Sequence, residues 1–598
     1  MTPTAPPDAP APDAGDAATF PHGIASFDPT PTSVLLWTRT ERAASVDWVV
    51  ARDEELTDVV ASGTAEVRSD RDCTAVVDVE GLAPGTTHHY AFTVGDARSG
   101  VGRTRTLPDG DVARSRVAVV SCANLARAPL TVYRAVAGVE DLDLVLHLGD
   151  YIYENAGEKG HIPVDPPHDL VTLEDYRLRY RQARADTDLQ QLHARFPMVA
   201  IWDDHDVADN TWDGGAKAHD PEQHGPWEPR LEAATTARQE WVPARLRDPD
   251  DEGLLWRSVA LGDLAEIVLL DARLGGRDEA LDSAGGDGDL DSPDRAMLSE
   301  EQWAWATERL TDTSRPWSLV CSSVPVSKMH LPMPGSIDLD VGLPEGYTVR
   351  DGVGVCTDQW DGYARERERL AEVLGRRGGG AVVLSADVHS SWVFDGPFGA
   401  DGAPVAGELT GSSVSSTTMG GNLGPGATAL AERIGRSMDH VRWVDLDDYG
   451  FLVVDVDRER LRGEVWAVDP DDRTATATRR TAWHIGPERG ARWTEADDAS
   501  DDGPAADAAD EDPAEDAADV ATGGAIGAQE GGEPTRAAVV RGPVALGPPA
   551  GGREPDPGPG PGALGKLVRA GLVVGVALAL HPVLRAAARG VREARARR

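Results

Sequence analysis

The chain has 598 residues, and 101 aspartates and glutamates against 58 lysines and arginines give it a formal net charge of −43. This balance excludes a nucleic-acid scaffold, which needs a dense basic face, and it requires concentrated local positive charge wherever a phosphorylated ligand binds. The four cysteines, Cys73, Cys122, Cys321 and Cys356, are too few and too scattered for a disulfide framework.

The first residues, 1–19, are rich in Pro, Ala and Asp and lack a basic n-region, an apolar h-region and a twin-arginine pair. They predict a disordered leader and no signal peptide. Residues 20–108 follow as short alternating segments, such as SVLLWTR and TAVVDVEGL, separated by turn residues. This pattern predicts a small β-sandwich domain without chemistry of its own. The turn at residues 81–86, followed by Tyr90, resembles fibronectin type III and Ig-like domains.

Residues 114–490 alternate short apolar runs with amphipathic helical patterns. The runs that predict buried strands are VAVVSC, DLVLHLGD, MVAIWDD, AEIVLLD, SLVCSSV and AVVLSAD. Helical patterns cover residues 173–195, after Thr172, and residues 300–310, after Ser299. The alternation predicts an α/β domain, a class in which the carboxyl ends of strands build sites.

The C-terminal part changes composition twice. Residues 495–562 form an acidic and then Gly/Pro-rich stretch that predicts a disordered linker. Residues 563–598 are basic and partly apolar, but their continuous apolar run of near ten residues is shorter than a spanning helix needs. This segment predicts a helix that makes peripheral contact with anionic lipid, and the alternative is a helix that docks on the protein's own acidic surface.

Four of the predicted strands end in side chains that bind metals well. The motifs are Ser121-Cys122, Gly149-Asp150-Tyr151-Ile152-Tyr153-Glu154, Trp202-Asp203-Asp204-His205-Asp206 and Ser385-Ala386-Asp387-Val388-His389. A single aspartate at a strand end would be explained by helix capping or by a turn. Four such ends in series indicate a metal site, and the alternative is a polar cluster held by hydrogen bonds alone.

The mixture of ligand types suits the hydrolysis of a phosphate ester. Two bridged ions about 3.5–4 Å apart offset charge on the phosphoryl oxygens and generate the hydroxide that attacks phosphorus. Asp150 can bridge two ions, and Tyr153 can reach the same ion across a tight turn. A phenolate and a thiolate favour ferric iron, whereas Asp204 and Asp387 offer oxygen ligands for calcium. His205, beside a metal-binding aspartate, is a natural general acid for the leaving oxygen.

Several other residues near these motifs have structural explanations as well as functional ones. Arg273, in LLDARLGGRD, is expected to pair with a neighbouring aspartate, although it could instead clamp a phosphate. His147 is expected to be a hydrogen-bonded core histidine and Cys321 a small core residue. Tryptophans adjoin three of the motifs and would either wall the pocket or pack in the core; they are Trp202, Trp360 and Trp392.

The order and spelling of the motifs resemble the alkaline phosphatase D (PhoD-like) family of calcineurin-type metallophosphoesterases. The match covers most of residues 20–484 and includes LVLHLGDYIYE, MVAIWDDHDVADN and VVLSADVHSSW. It implies a metallophosphoesterase β-sandwich flanked by helices, behind an N-terminal all-β domain. Two features depart from the family: the twin-arginine export signal is missing, and Ala386 replaces the usual glycine of the fourth motif. Alanine is tolerated at that position unless the backbone there needs a positive φ.

The resemblance also carries site residues over one by one. The implied ligands are Cys122, Asp150, Tyr153 and His389 for iron (Fe³⁺), with Asp150 as the bridge, and Asp204 and Asp387 for calcium. His205 falls where related enzymes keep their acid or stabilising histidine. Asn210 stands in a matching stretch but has no assignable role.

These observations predict a monomeric, metal-dependent phosphomonoesterase or phosphodiesterase that acts on a phosphate-ester substrate. Two alternatives stay open: a non-catalytic envelope or scaffold protein with a relic phosphatase domain, and a phosphodiesterase for phospholipid or an envelope polymer, suggested by residues 563–598. The missing export signal predicts a cytoplasmic location with membrane association through the C-terminal segment.

Overall fold

In the computed structural model of the chain, residues 15–157, 162–247, 253–281, 290–332, 347–350 and 353–496 are described. Their strands are β1 Ile24–Phe27, β2 Ser33–Arg39, β3 Ser45–Ala51, β4 Val59–Glu66, β5 Thr74–Glu80, β6 Thr87–Val94, β7 Ala97–Arg98, β8 Gly102–Arg105, β9 Arg114–Val120, β10 Leu144–His147, β11 Met198–Ala200, β12 Thr211–Trp212, β13 Gly215–Ala216, β14 Arg257–Leu261, β15 Ala265–Leu270, β16 Trp317–Ser322, β17 Leu331–Pro332, β18 Tyr347–Arg350, β19 Val353–Cys356, β20 Ala381–Ser385, β21 Ser391–Asp395, β22 Gly407–Thr410, β23 Val441–Asp445, β24 Gly450–Asp457, β25 Leu461–Ala467, β26 Thr478–Ile485 and β27 Thr494–Glu495. Their α-helices are α1 Thr131–Ala137, α2 Leu173–Arg184, α3 Thr187–Arg195, α4 Pro221–His224, α5 Trp227–Trp241, α6 Glu300–Thr311, α7 Ala364–Arg377, α8 Met419–Leu423 and α9 Ala427–Ser437. Residues 1–14 of the predicted leader, the predicted linker beyond Ala496 and the predicted segment 563–598 lie outside the described residues.

Two large sheets face each other across one apolar core. The first has ten strands in the order β27-β26-β25-β24-β9-β10-β11-β1-β2-β5, and the second has seven in the order β14-β15-β16-β20-β22-β21-β23. Buried side chains from both sheets, such as Val119 of β9 and Leu384 of β20, belong to the same hydrophobic cluster. Helices α6 and α7 cover the outer face of the seven-stranded sheet. The predicted α/β sandwich with flanking helices is confirmed.

The predicted helix over residues 173–195 is two helices in the structure, α2 and α3. Thr172 begins α2 with a capping box, because its hydroxyl accepts from the Asp175 amide while the Asp175 carboxylate accepts from the Thr172 amide. Asp186 then caps α3, since its carboxylate accepts from the amides of Asp188 and Leu189. An aspartate whose side chain caps a new helix ends the preceding one, which the periodic pattern alone did not predict.

The N-terminal β-strands pack as a small sandwich that is joined to the larger one. Strands β3, β4, β6, β7 and β8 form a separate sheet, whereas β1, β2 and β5 extend the ten-stranded sheet. The link is a parallel pairing of Phe27 in β1 with Met198 in β11. The ten-stranded sheet therefore crosses the domain boundary predicted between residues 108 and 114.

The parallel strands place their carboxyl ends at one edge of the sandwich. In the ten-stranded sheet, β9, β10 and β11 run parallel, with Val120 beside His147 and His147 beside Ala200. In the seven-stranded sheet, β15, β16, β20 and β22 are parallel neighbours. The loops after β9, β10, β11, β15 and β20 consequently meet, and these loops carry the predicted site residues. Among the described residues, no helix is both long and apolar enough to cross a membrane.

Candidate metal centre

The segments after β10, β11, β19 and β20, together with helix α8, line a cavity of about 280 Å³. Its lining residues are Asp150, Asp204, His205, Asp209, Asn210, Cys356, Asp358, Gln359, Asp387, Val388, His389, Met419 and Asn422. They come from these five separate segments, and acidic and amide side chains predominate. The cavity is therefore the place where the chemistry-bearing strand ends converge.

The backbone around the cavity is held in an uncommon conformation. Ten described residues other than glycine have a positive φ, and five of them are Cys122 (58°), Asp150 (56°), Asn210 (54°), Asp387 (70°) and His389 (48°). Residues other than glycine are uncommon in the left-handed region, although Asp, Asn and His enter it more often than most, and such strained positions concentrate at functional sites. Ala386 is not among these residues, so the replacement of glycine in the fourth motif is accommodated.

A first group of potential ligands, which we call the thiol–phenol group, consists of Cys122, Asp150, Tyr153 and His389. Ligand atoms of Cys122, Asp150 and His389 lie within 4.8 Å of one another. The Tyr153 hydroxyl donates to Asp150 Oδ2 at 2.7 Å and lies 3.2 Å from His389 Nε2. On its far side, His389 Nδ1 lies 3.0 Å from the Thr417 carbonyl, which leaves Nε2 facing the group.

The acidic side chains of the thiol–phenol group have pKa values above their usual ranges. Burial raises the pKa of Cys122 well above its usual value, and the nearby Asp150 carboxylate raises it further. The same two causes raise the pKa of Tyr153. Burial also raises the pKa of Asp150 and lowers that of His389 to about 4. Without a bound cation these shifts favour the neutral form of each side chain.

A second group of carboxylates, which we call the arginine-paired group, consists of Asp203, Asp204, Asp358 and Asp387 around Arg273. The fully buried Arg273 guanidinium pairs with all four: it bonds Asp203 through Nε, Asp358 Oδ2 at 2.8 Å and Asp387 Oδ1 at 3.2 Å, and lies 3.5 Å from Asp204 Oδ1. Arg277 pairs with Asp358 as well. The prediction that Arg273 pairs with aspartates is confirmed, and it does not line the cavity.

These guanidinium contacts change the acidity of the group unevenly. Burial acts to raise the pKa of Asp204, but Arg273 and His205 outweigh it and hold that pKa at about 2. Burial raises the pKa of Asp387 well above its usual value, because Asp203 adds to the effect while Arg273 only partly opposes it. Asp204 and Asp387 nevertheless come together, since oxygens of Asp203, Asp204 and Asp387 lie within 4.8 Å of one another.

His205 lies between the two groups and is fixed from behind. Its Nδ1 is 2.7 Å from Glu154 Oε2, and its ring stacks on Tyr153 with centroids 4.2 Å apart. Burial acts to lower the pKa of His205, but the carboxylates of Glu154, Asp204 and Asp150 outweigh it and hold that pKa well above its usual value. The shift favours an imidazolium that donates Nδ1–H to Glu154 and presents Nε2 to the cavity, 3.7 Å from Asp209 Oδ1.

Asp206 joins the two strand ends that carry Asp150 and Asp204. Its carboxylate accepts from the backbone amides of Asp150 and Asp203 at 2.9 and 3.1 Å, and from Tyr151 at 2.9 Å. Gly149, at φ 106°, allows this close approach, because a Cβ there would lie 2.4 Å from the backbone nitrogen of Asp203. The geometry of the ligand loops is thus set by a carboxylate that does not line the cavity.

The structure brings all of the predicted ligands and His205 to this one centre, and it adds residues to which the sequence assigned no role. The additional residues are Glu154, Asp203, Asp206, Asp209, Asn210, Arg277, Cys356, Asp358, Gln359, Met419 and Asn422. Turned so that its nitrogen faces Asp358, the Asn210 amide donates to that carboxylate at 3.1 Å. Glu154 and Asp203 stand inside the quoted motifs, so only their function was missed.

The residues near the motifs for which the sequence allowed a structural role are buried in the core. His147 is fully buried, and its Nε2 lies 2.8 Å from the Tyr133 hydroxyl. Cys321 is fully buried in the core. The tryptophans beside the motifs pack in the core and do not line the cavity; they are Trp202, Trp360 and Trp392.

Comparison with known proteins identifies the family to which this fold and site belong. The model of the PhoD-like phosphatase family matches residues 117–465, and that of the PhoD-like phosphatase N-terminal domain matches residues 6–108. Alkaline phosphatase D of Bacillus subtilis is 31% identical over 462 residues, which cover 72% of this chain and 74% of that protein. A solved structure of PhoD is 27% identical, with a TM-score of 0.70 over 80% of this chain and 92% of that one. The chain therefore belongs to the PhoD-like phosphatase family and is a metal-dependent phosphoesterase.

Proposed function

We propose that this chain hydrolyses phosphoric esters at a two-ion centre, with ferric iron held by the thiol–phenol group and calcium held by Asp204 and Asp387. Asp150 belongs to two of the three clusters of potential ligands and would contribute to holding both ions. The observation that carries the proposal is the buried convergence of a thiol, a phenol, a carboxylate and an imidazole, of which the carboxylate (Asp150) and the imidazole (His389) line the cavity.

The thiol–phenol group fits iron by the chemistry of its donors. A thiol and a phenol that burial keeps neutral become ligands only if a cation displaces their protons, and a trivalent ion does so most strongly. Sulfur, nitrogen and phenolate donors together suit iron better than magnesium or calcium, which prefer oxygen alone.

The oxygen donors on the other side fit a harder ion. Asp204 Oδ1 is buried and accepts no hydrogen bond, and Asp204 Oδ2 is held by the Asn210 amide at 2.6 Å. Asp387 uses Oδ1 on Arg273 and lines the cavity as well. Carboxylate oxygens without a nitrogen or sulfur donor are the set that calcium takes.

In the proposed mechanism, His205 donates the proton that the leaving alcohol needs. When bound, the two ions supply charge that offsets the phosphoryl oxygens and lowers the pKa of an attacking water. His205 holds a proton at Nε2 and gives it to the leaving alcohol, while Glu154 keeps the ring in place through Nδ1. Arg273 offsets the mutual repulsion of Asp203, Asp204 and Asp387 and so holds these carboxylates close together, and the buried loops exclude bulk water.

Two alternative functions were open from the sequence: a non-catalytic relic and a phosphodiesterase for phospholipid or an envelope polymer. A non-catalytic relic is disfavoured, because all the donor side chains are present and converge. A phospholipid or envelope-polymer substrate depends on residues 563–598, outside the described residues. The cytoplasmic location, the monomeric state and the membrane contact stay predictions.

Metal analysis combined with a substrate panel tests the proposal. Gently purified protein is expected to contain iron and calcium and to hydrolyse chromogenic phosphate mono- or diesters. Cys122→Ala and His389→Ala should each lose iron and activity without unfolding. Cys321→Ala, a buried cysteine away from the centre, is the matched control and should keep both. Full activity in Cys122→Ala, or protein that is active without any bound metal, would contradict the proposal.

A further inference from the structure

In the described part of the chain, His205 is the one side chain lining the cavity whose pKa favours a positive charge. Among the described residues, the cavity lining includes five aspartates and no lysine or arginine. Arg273 and Arg277 lie behind the aspartates and are buried, with 0% and 2% of their surface exposed. A second anionic group on a substrate would therefore meet no guanidinium or ammonium here.

Asp209 differs from the other lining aspartates in its pairing. Asp150, Asp204 and Asp387 belong to the proposed ligand set, and Asp358 is balanced by Arg273 and Arg277. Among the described residues, the Asp209 carboxylate forms an ion pair with His205 and with no arginine or lysine, and the His205 imidazole is also paired with Glu154. The Asp209 side chain is also 46% exposed, so it stands nearer the mouth than the buried ligands.

The position of Asp209 beside His205 relates it to the leaving alcohol. Its Oδ1 is 3.7 Å from His205 Nε2, and its own amide is fixed by Glu154 Oε1 at 2.9 Å. A leaving oxygen must come within about 3 Å of Nε2 to receive the proton. The first atoms of the alcohol therefore pass within several ångströms of the Asp209 carboxylate.

We infer that Asp209 makes this cavity select phosphoric esters whose alcohol is neutral or cationic and reject esters whose alcohol carries a negative charge. The inference rests on the proposed function, in which His205 protonates the leaving oxygen. It names a substrate class by charge: esters of ammonium-bearing or uncharged alcohols, as opposed to polyphosphates and esters of anionic alcohols.

The test uses three aryl phosphates that carry a trimethylammonio, an acetyl or a sulfonate group on the ring. Each is offered as the monoester and as the methyl diester, and the series that the enzyme hydrolyses is used. In each case water adds to phosphorus, the P–O(aryl) bond breaks, and the phenol leaves with a proton. The assay compares kcat/KM of the metal-loaded wild type with Asp209→Asn at about pH 9, where carboxylates are ionised.

For each enzyme, kcat/KM of the charged ester is divided by kcat/KM of the acetyl ester, and this ratio is compared between the wild type and the variant. The comparison cancels the intrinsic reactivity of each phenol and any change at His205 that affects all esters equally. In Asp209→Asn, the sulfonate ester should gain about three- to tenfold relative to the acetyl ester, and the trimethylammonio ester should lose a similar factor. Asp213→Asn changes an exposed aspartate in the neighbouring β12–β13 turn, outside the cavity; it is the control and should shift neither ratio by more than about twofold.

Two outcomes overturn the inference, and they are distinguishable. If Asp209→Asn leaves both ratios within about twofold of wild type, or if wild type prefers the sulfonate ester, the selection by Asp209 is wrong while the proposed function stands. If the metal-loaded enzyme hydrolyses none of the esters, the proposed function fails and takes the inference with it.

Discussion

The two halves of the metal centre handle their buried negative charge differently. In the thiol–phenol group, Cys122, Asp150 and Tyr153 meet without an arginine or lysine partner among the described residues, and their pKa values are raised. In the arginine-paired group, Arg273 contacts every carboxylate. One half therefore depends on an external cation to become anionic, whereas the other contains a cation of its own.

This difference separates residues that bind the metal ions from residues that stabilise the metal-free fold. Residues of the thiol–phenol group should matter greatly for metal binding and activity but little for the fold without metal, because they are neutral there. Arg273 should matter greatly for the fold without metal, because its removal leaves buried carboxylates uncompensated. Three substitutions, taken from the largest expected effect on activity or stability to the smallest, test this separation.

Asp150→Ala is expected to have the largest effect. Asp150 belongs to two of the three clusters of potential ligands, so its loss should lower kcat/KM by about 10³-fold or more and reduce the bound metal. The free energy of unfolding of the metal-free protein should change by only about 1 kcal/mol, since a crowded carboxylate is removed. Hydrolysis of a chromogenic ester, elemental analysis and denaturant unfolding measure the three quantities. Near wild-type turnover would contradict the assignment of Asp150.

Arg273→Gln should have the opposite pattern from Asp150→Ala, with its main effect on the stability of the metal-free protein. We expect the metal-free protein to lose about 3–5 kcal/mol of unfolding free energy, because four buried carboxylates lose their common partner. Calcium should restore part of this loss, by about 2.7 kcal/mol at a hundredfold excess over its Kd. Urea unfolding with and without calcium measures both effects. Arg309→Gln, a surface arginine paired with Glu308 and Glu266, is the control and should change stability by less than about 1 kcal/mol.

His205→Asn should remove the proton donor without removing the metals. The expected loss is about 10²-fold in kcat for an alkyl phosphate, and less for p-nitrophenyl phosphate, whose leaving group needs no proton. Iron and calcium contents should equal those of the wild type. If the variant instead loses metal and both substrates suffer equally, His205 is a ligand and the assignment as acid is wrong.

The sequence predicts those residues of the centre that directly follow a predicted buried strand. Cys122, Asp150 and His389 follow buried apolar runs, and parallel strands bring such positions to one edge. The same rule extends to Arg273, which follows β15, and the pairing predicted for it is confirmed.

What the sequence does not predict comes from loops whose meeting depends on tertiary packing. Asp358, Met419 and Asn422 reach the cavity from segments without an apolar run that ends in a ligand. Asp206 stands in a quoted motif, but only the folded backbone shows that it accepts amides from two ligand loops. The split of helix 173–195 has a similar origin, since Asp186 can cap or continue a helix and the packing decides.

Proton release on iron binding tests the central claim most directly, that the thiol–phenol group is neutral until a cation binds. Titration of the metal-free protein with ferric iron at about pH 7.5, in two buffers of different ionisation enthalpy, counts the protons released. Because the pKa values of Cys122, Tyr153 and Asp150 are all raised, binding should release about three protons, affinity should rise with pH, and Tyr153→Phe should release one fewer. Iron binding without proton release, or the same count in Tyr153→Phe, would contradict the account.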